Sequence, residues 1–466
     1  MPGADVNVLV VMADQLVPFL TGPYGDPVAQ TPHMDALARD GIRYDAAYTP
    51  YPLCSPARAS FMTGDHASRH GCYDNAAILP ADVPTVCHYL TLAGYDSVLS
   101  GKMHFVGPDQ LHGFAKRVTT DVYPAAMDWV PTQDPEGRFV RGGHARSYVP
   151  PRVGPVQWSK FLAYDEETQF RALEYLHDGP QEPFLLVVSF HHPHDPFQPT
   201  QEYWDLYEGV EIPIPDTPAE IEYSAMDVWA NEAHETDAVD LRDPDNLRAL
   251  RRAYYALVTY IDRKLGELVA AVPDDTSVVF TSDHGDMLGE RAMVQKRCFY
   301  EWSARIPLIV RYPDRRGAGT SVDTPVSLLD VAPTVLDWCG VSERLRMDGT
   351  SLLGPGAPVF SEYHVEKVRA PCFMVRDGER KYIYVYGHGE QLFDLAADPG
   401  EWNDLSKDVD TKEYRDVILE RFDPDAIARH GAESVARRDL IARAMTKTKT
   451  RWDWQPFFDA TKQYVR

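Results

Sequence analysis

Apolar residues gather in short, nearly unbroken runs at Val6–Met12, Tyr95–Leu99, Phe184–Phe190, Ser277–Thr281 and Ile306–Val310, with stretches of helical period between them. Runs that stay apolar, rather than alternating, predict strands buried on both faces, and their alternation with helices predicts an α/β fold: a large, mostly parallel sheet flanked by helices. Beyond Gly340 the pattern shortens to CFMVRDG, RKYIYVYG and QLFDL, set apart by Gly, Asp and Pro. Those pieces predict a small C-terminal antiparallel subdomain. The chain is therefore read as a main domain over 1–340, an α+β subdomain over 341–440 and a tail over 441–466. The segment Trp129 to Gln157, rich in Pro, Gly and Arg and without a sustained period, is expected to be a long loop over the main domain.

Composition narrows the class. Apolar residues make up 44% of the 466 and charged residues 25%, which excludes wholesale disorder. Lys and Arg total 46 against 70 Asp and Glu, a formal charge of -24. That surplus argues against nucleic acid or an anionic membrane as partner, so any anion bound here must be won locally. No basic stretch precedes the first apolar run, which therefore reads as a strand and not a signal peptide. No run approaches the ~18 apolar residues of a membrane span. Cys54, Cys72, Cys87, Cys298, Cys339 and Cys372 are scattered without C-x-x-C spacing, which suggests neither a disulfide framework nor a zinc cluster. A cytoplasmic location is expected.

In open parallel sheets ligands bind beyond the carboxyl ends of the strands. The first run leads to Asp14 and Gln15, the second to Lys102 and His104, the third to His191, His192 and His194, and the fourth to Asp283, His284 and Asp286. Singly, each has a plain structural use as a helix cap, a solvated lysine, a hydrogen-bonded loop or a turn residue. Four such ends on one edge of one sheet predict a divalent cation site. Carboxylates there point to Ca²⁺ or Mg²⁺, and imidazole admits Mn²⁺ or Zn²⁺.

One further segment, YPLCSPARASFMTG, predicts a helix with Pro56 in its first turn and Gly64 at its end. Cys54 then sits at the helix N-terminus with Arg58 one turn along, where both the dipole and the guanidinium favour an anion. The C-x-P-x-R written by Cys54, Pro56 and Arg58 resembles the signature of the sulfatases of the alkaline-phosphatase superfamily. The likeness extends in order to GKMH at 101–104, HPHDP at 192–196, SDHGDMLGE at 282–290, Lys296 before FYEWSARIPLI, and LFDLAADPGEWNDL at 392–405. The run from YDNAAILP to HGF and the tail RWDWQPFFDATKQYVR are similar to the choline-sulfatase branch. Gln15 stands where many sulfatases have a second Asp, which implies one fewer charged ligand. His284 stands where many arylsulfatases have Asn.

The resemblance implies that Cys54 is converted to formylglycine by a formylglycine-generating enzyme, and that Asp14, Asp283, His284 and the modified Cys54 hold one divalent cation, Ca²⁺ first, with Mn²⁺ or Mg²⁺ as alternatives. It implies that Arg58 and Lys102 stabilise the nucleophile and the ester oxygens, that His194 and Lys296 serve the leaving group, and that His104 is the base that expels sulfate. The substrate it implies is a small sulfate ester, choline O-sulfate, cleaved to choline and sulfate, and the tail implies a homo-oligomer, dimer or tetramer. Trp129, Trp452 and Trp454 are candidates for the alcohol pocket because ring faces attract quaternary ammonium. Asn75 and Glu366 are further pocket candidates, and Lys367 and Arg369 lie in the same stretch as Glu366. Two rival readings stay open: an arylsulfatase or phosphonate monoester or phosphodiester hydrolase with the same site, and a non-catalytic binding protein for a sulfated osmolyte.

Overall fold

The computed structural model describes residues 6–127 and 144–449. Ten strands build its main part: β1 Val8–Asp14, β2 Ile42–Tyr44, β3 Ala47–Tyr48, β4 Asp96–Gly101, β5 Lys116–Arg117, β6 Phe184–Pro193, β7 Ser277–Ser282, β8 Leu308–Arg311, β9 Thr320–Val322 and β10 Val326–Ser327. Eight of them form one sheet in the order β5-β4-β6-β1-β7-β8-β2-β9, while β3 and β10 pair separately. From β5 through β7 every neighbouring pair is parallel. β8 runs against both of its neighbours.

The seven residues of β1 are all buried, as a run apolar at successive positions requires. Leu9 and Val11 face the long helices Lys160–His177 and Pro244–Ala271, while Val8, Val10 and Met12 face helices Val86–Leu92 and Val331–Trp338. Each Val or Leu so covered contributes about 1.5–3 kcal/mol, which fixes the strand's register from both sides.

Register also decides where the chemistry collects. Asp14 lies opposite Pro193, Gly101 opposite Ser189, and Ala13 opposite Ser282. The carboxyl ends of β1, β4, β6 and β7 therefore meet at one edge, and the residues that follow each strand enter the same space.

The C-terminal part carries a second sheet, β11 Val359–Tyr363, β12 Cys372–Asp377, β13 Arg380–Val385 and β14 Gly389–Asp394, antiparallel in that order. Its last three strands match the three expected pieces, and β11 is an addition. Buried Lys381 of β13 reaches Glu301 at 2.9 Å and Glu401 at 2.8 Å, so the small sheet is tied to the loops of the main one. Helices Lys412–Arg421 and Pro424–Thr448 follow, the second passing through the position where the tail was expected to begin. Arg438 on that helix pairs with Asp74 at 2.5 Å.

Candidate active site

Helix Cys54–Thr63 is buried along its whole length. Pro56 occupies the first turn, where a missing N–H costs no intrahelical bond, and Gly64 closes the helix at φ 71° with its N–H on the Ser60 carbonyl at 2.8 Å. The Ser55 N–H, one of the free donors of the first turn, is taken by the Asn75 side-chain oxygen at 3.0 Å. Cys54 is thereby fixed as the first helical residue at the strand edge.

Around its sulfur stand Asp14, Asp283 and His284. One donor atom from each of the four lies within 4.8 Å of all the others, and all four residues are buried. The Cys54 Sγ is 3.2 Å from His284 Nε2, and His284 Nε2 is 3.6 Å from an Asp283 oxygen. Such separations fit a cation held at the ~2.3–2.6 Å of oxygen ligation, and two carboxylates with one imidazole are the donor types a divalent ion takes.

Fixed positive charge surrounds the same sulfur. Arg58 Nε donates to Asp283 at 2.9 Å, and its Nη1 donates to the Lys102 carbonyl and to Ser189 Oγ, both at 2.7 Å. Lys102 pairs with Asp14 and stands 4.5 Å over the Tyr123 ring. Burial alone would raise the Cys54 thiol, but Lys102, Lys296 and His284 outweigh it and hold the thiol well below its usual range. Burial likewise opposes the ionised Asp283 carboxyl, yet Arg58 and His284 hold its pKa below the usual value. For Lys102, Asp14 and Cys54 overcome burial and keep the ammonium charged to higher pH than a free lysine.

His104 follows β4 at φ 61°, its backbone N–H held by the Asp121 carboxylate at 2.7 Å and its ring stacked on Tyr123 at 4.6 Å. Burial pushes its pKa down, so the ring is a neutral base at pH 7. On the opposite side His194 Nε2 meets Lys296 Nζ at 2.8 Å, and His194 Nδ1 lies 3.1 Å from Asp195. Burial pushes Lys296 below the usual lysine range. Gln15 accepts from Lys296 at 2.5 Å and donates to Tyr148 at 3.0 Å and to Asp286.

His192 is held by Asp165 at 2.6 Å and His191 stacks on Phe161 at 4.3 Å, so these two expected strand-end residues stand apart from the four-donor group. Glu366 accepts from Arg297 at 2.7 Å and from the Asn75 N–H at 3.2 Å. Trp129, Trp452 and Trp454 lie outside the described residues. Asp121, Asp165, Tyr148 and Arg297 were not anticipated. Each acts across the fold on a residue distant in sequence, and no local motif marks any of them.

The sulfatase family profile matches residues 6–341, and the profile of the N-sulphoglucosamine sulphohydrolase C-terminal region matches residues 289–424. The chain belongs to the sulfatase family. It is 38% identical over 495 aligned positions to the choline-sulfatase of Rhizobium meliloti (strain 1021), an alignment covering 99% of this chain and 95% of that one. Against the arylsulfatase of Clostridium perfringens (strain 13 / Type A) the identity is 28%, over 88% of this chain and 92% of the other. The crystal structure of the phosphonate monoester hydrolase of Agrobacterium radiobacter superposes with a TM-score of 0.72 at 24% identity, covering 91% of this sulfatase and 96% of that chain, which establishes a shared fold. As a sulfatase the protein is a sulfuric ester hydrolase. Among its described residues no helix is long and apolar enough to cross a membrane.

Proposed function

We propose that this sulfatase hydrolyses a small alkyl sulfate ester with a nucleophile made from Cys54. The observation that carries the reading is the placement of Cys54 at a helix N-terminus, inside a buried group of three potential metal ligands and beside Lys102 and Lys296. A structural cysteine needs none of these neighbours. In this reading a formylglycine-generating enzyme, using molecular oxygen as the external oxidant, breaks the Cβ–S bond of Cys54 and puts oxygen in place of the sulfur, which leaves as sulfide; the aldehyde so formed adds water, and the hydrated side chain supplies two hydroxyls on one carbon. One attacks sulfur; the other expels sulfate without a second attack on sulfur.

Asp14, Asp283, His284 and residue 54 would hold one divalent cation, with Ca²⁺ favoured by the carboxylates. When bound, that ion supplies Lewis acidity to the oxygens it touches. Arg58 and Lys102 hold positive charge where the ester oxygens gather charge in the transition state, and because both are fixed by buried partners they need no reorganisation there. Lys296, with a lowered pKa and a hydrogen bond to His194, gives its proton to the departing alkoxide. His104, neutral at pH 7, takes the proton from the second hydroxyl of residue 54.

The likeness to the R. meliloti choline-sulfatase makes choline O-sulfate the first ester to assay. A choline pocket calls for ring faces or an uncompensated anion. The candidate anion, Glu366, is paired with Arg297. Substitution tests the nucleophile: Cys54→Ala and Cys54→Ser should both keep the wild-type circular dichroism spectrum and lose sulfate release, since neither side chain forms a geminal diol. Turnover near wild type in Cys54→Ala would remove Cys54 from the reaction.

A further inference from the structure

The turn that carries His104 is built around one carboxylate. Asp121 Oδ2 accepts from the backbone N–H of Met103 at 3.0 Å and of His104 at 2.7 Å, and from Arg117 Nη2 at 2.8 Å. Its Oδ1 accepts from the N–H of Val122 at 2.8 Å and of Tyr123 at 3.3 Å. Two successive N–H groups that converge on one oxygen make an anion-binding concavity. Here they do so at His104, whose φ of 61° lies in the left-handed region that a residue with a side chain rarely enters. An anion at this point is what holds the turn in that shape.

Arg117, on the edge strand β5, holds the anion in place. Besides Asp121, its guanidinium reaches the Gly101 carbonyl at 3.3 Å, the Thr119 carbonyl at 3.1 Å and Gln110 Oε1 at 3.0 Å. Thr119 Oγ1 accepts from the Gly101 N–H at 2.5 Å, and Gln110 donates to the Phe105 and Gly107 carbonyls at 2.8 and 3.0 Å. The stretch from Gly101 to Gly107 is so gripped at both ends by residues 110–123. The Arg117 and Asp121 side chains are only 5% and 4% exposed, which shields their pairing from water. Burial opposes the charge on Asp121, but Arg117, His104 and the Met103 N–H outweigh it and push its pKa down to about 2. The carboxylate therefore fixes the His104 backbone and, through the Tyr123 N–H, the start of the residue whose ring the imidazole stacks on.

We infer that Asp121, clamped by Arg117, is a positioning residue for the second half of the reaction, holding His104 where it takes the proton from the second hydroxyl of residue 54. In that half the O–H bond of the sulfated residue breaks and its proton passes to His104. The electron pair left on oxygen forms the aldehyde C=O, and the C–O bond to sulfate breaks with its pair on the departing sulfate. The first half, attack on sulfur, draws on Arg58 and Lys102, which Asp283 and Asp14 fix independently of Asp121. Loss of Asp121 therefore slows the second half alone.

This inference rests on the reading of Cys54 as nucleophile and His104 as base, and a mutant cycle keeps the two apart. Matured wild type, His104→Ala, Asp121→Asn and the double variant are mixed rapidly with 4-nitrophenyl sulfate, whose good leaving group makes the first half fast. Nitrophenol and sulfate are counted in the same quenched samples. Asp121→Asn keeps the side-chain volume but turns an amide N–H toward donors that the carboxylate accepted from. It should show a burst of nitrophenol close to one per converted site, with kcat lower by about 100-fold and kcat/KM within about threefold of wild type, because kcat/KM reports only the steps through nitrophenol release. In the His104→Ala background, Asp121→Asn should lower kcat no further. Arg117→Lys keeps the charge and loses the fork, and should give the same split at smaller size, which tests the clamp even if Asp121→Asn does not fold. A burst in His104→Ala but none in folded Asp121→Asn, equal losses of kcat and kcat/KM in Asp121→Asn or Arg117→Lys, or a further fall in the double variant overturns the inference while the nucleophile reading stands. No burst even in His104→Ala, with residue 54 shown to be converted, overturns the two-step reading and this inference with it.

Discussion

Replacing Lys102 with Met keeps the length and apolar volume of the side chain and removes one charge from the centre of the site. Lys102 is fully buried, pairs with Asp14 and lies over the Tyr123 ring. Leaving a buried carboxylate without its partner costs about 3–5 kcal/mol in the general case. Arg58 Nη2 lowers that figure here: it stands 3.7 Å from the same Asp14 oxygen and has no hydrogen-bond partner among the described residues. With Arg58 taking up the carboxylate, the cost falls toward the about 1.5–3 kcal/mol of one charged hydrogen bond. The Lys102 pKa is raised in the fold, so its contribution is fully present below the pKa of an unfolded lysine and is lost only as the pH rises through the folded value. Urea denaturation at pH 7 reads the whole effect. Catalysis should suffer more, because a fixed cation aimed at developing charge is worth about 10²–10³ in kcat. Sulfate release by ion chromatography measures it, with KM on the same samples. Turnover within about threefold of wild type in a folded Lys102→Met protein would refute the assignment of Lys102 to the transition state, since no other described side chain occupies its place.

Asp283→Asn should lose bound cation, because its carboxylate lies within the four-donor group; elemental analysis after dialysis checks this, and unchanged stoichiometry would place Asp283 outside the ligand set. The basic limb of the pH–kcat profile should fall below the range of a free lysine, because Lys296 must be protonated to donate and burial lowers its pKa. In Lys296→Arg that limb should disappear together with most of the rate; an unchanged limb would assign the donor to another group.

The large sheet was legible because β1 and the first seven residues of β6 are apolar at nearly every position and β7 carries an unbroken Val278–Phe280 run, a pattern that suits strands covered on both faces. Strand ends were legible for the same reason, since a parallel sheet puts all its carboxyl ends on one edge. The short strands β2 and β9 were not, because three residues carry no period. The strand ends pointed to a divalent cation site, the resemblance to the sulfatases implied which four residues around Cys54 would form it, and the structure brings those four residues together. Positioning residues escaped notice because their partners are far along the chain: Asp121 lies 17 residues from His104, Asp165 lies 26 from His191, and Arg297 lies 69 from Glu366. Only packing reveals such pairs. Glu366 shows the consequence: the sequence offers it as a pocket candidate, and its ion pair with Arg297 becomes visible only in the fold.

The central claim is that Cys54 is the precursor of the nucleophile, and the mass of the peptide that contains it tests this most directly. Protein co-expressed with a formylglycine-generating enzyme, digested and weighed, should yield a residue-54 peptide lighter than the cysteine form by roughly 18 Da, with sulfate release rising in proportion to the converted fraction. Full sulfate release from protein in which that peptide carries an unmodified cysteine would contradict the account.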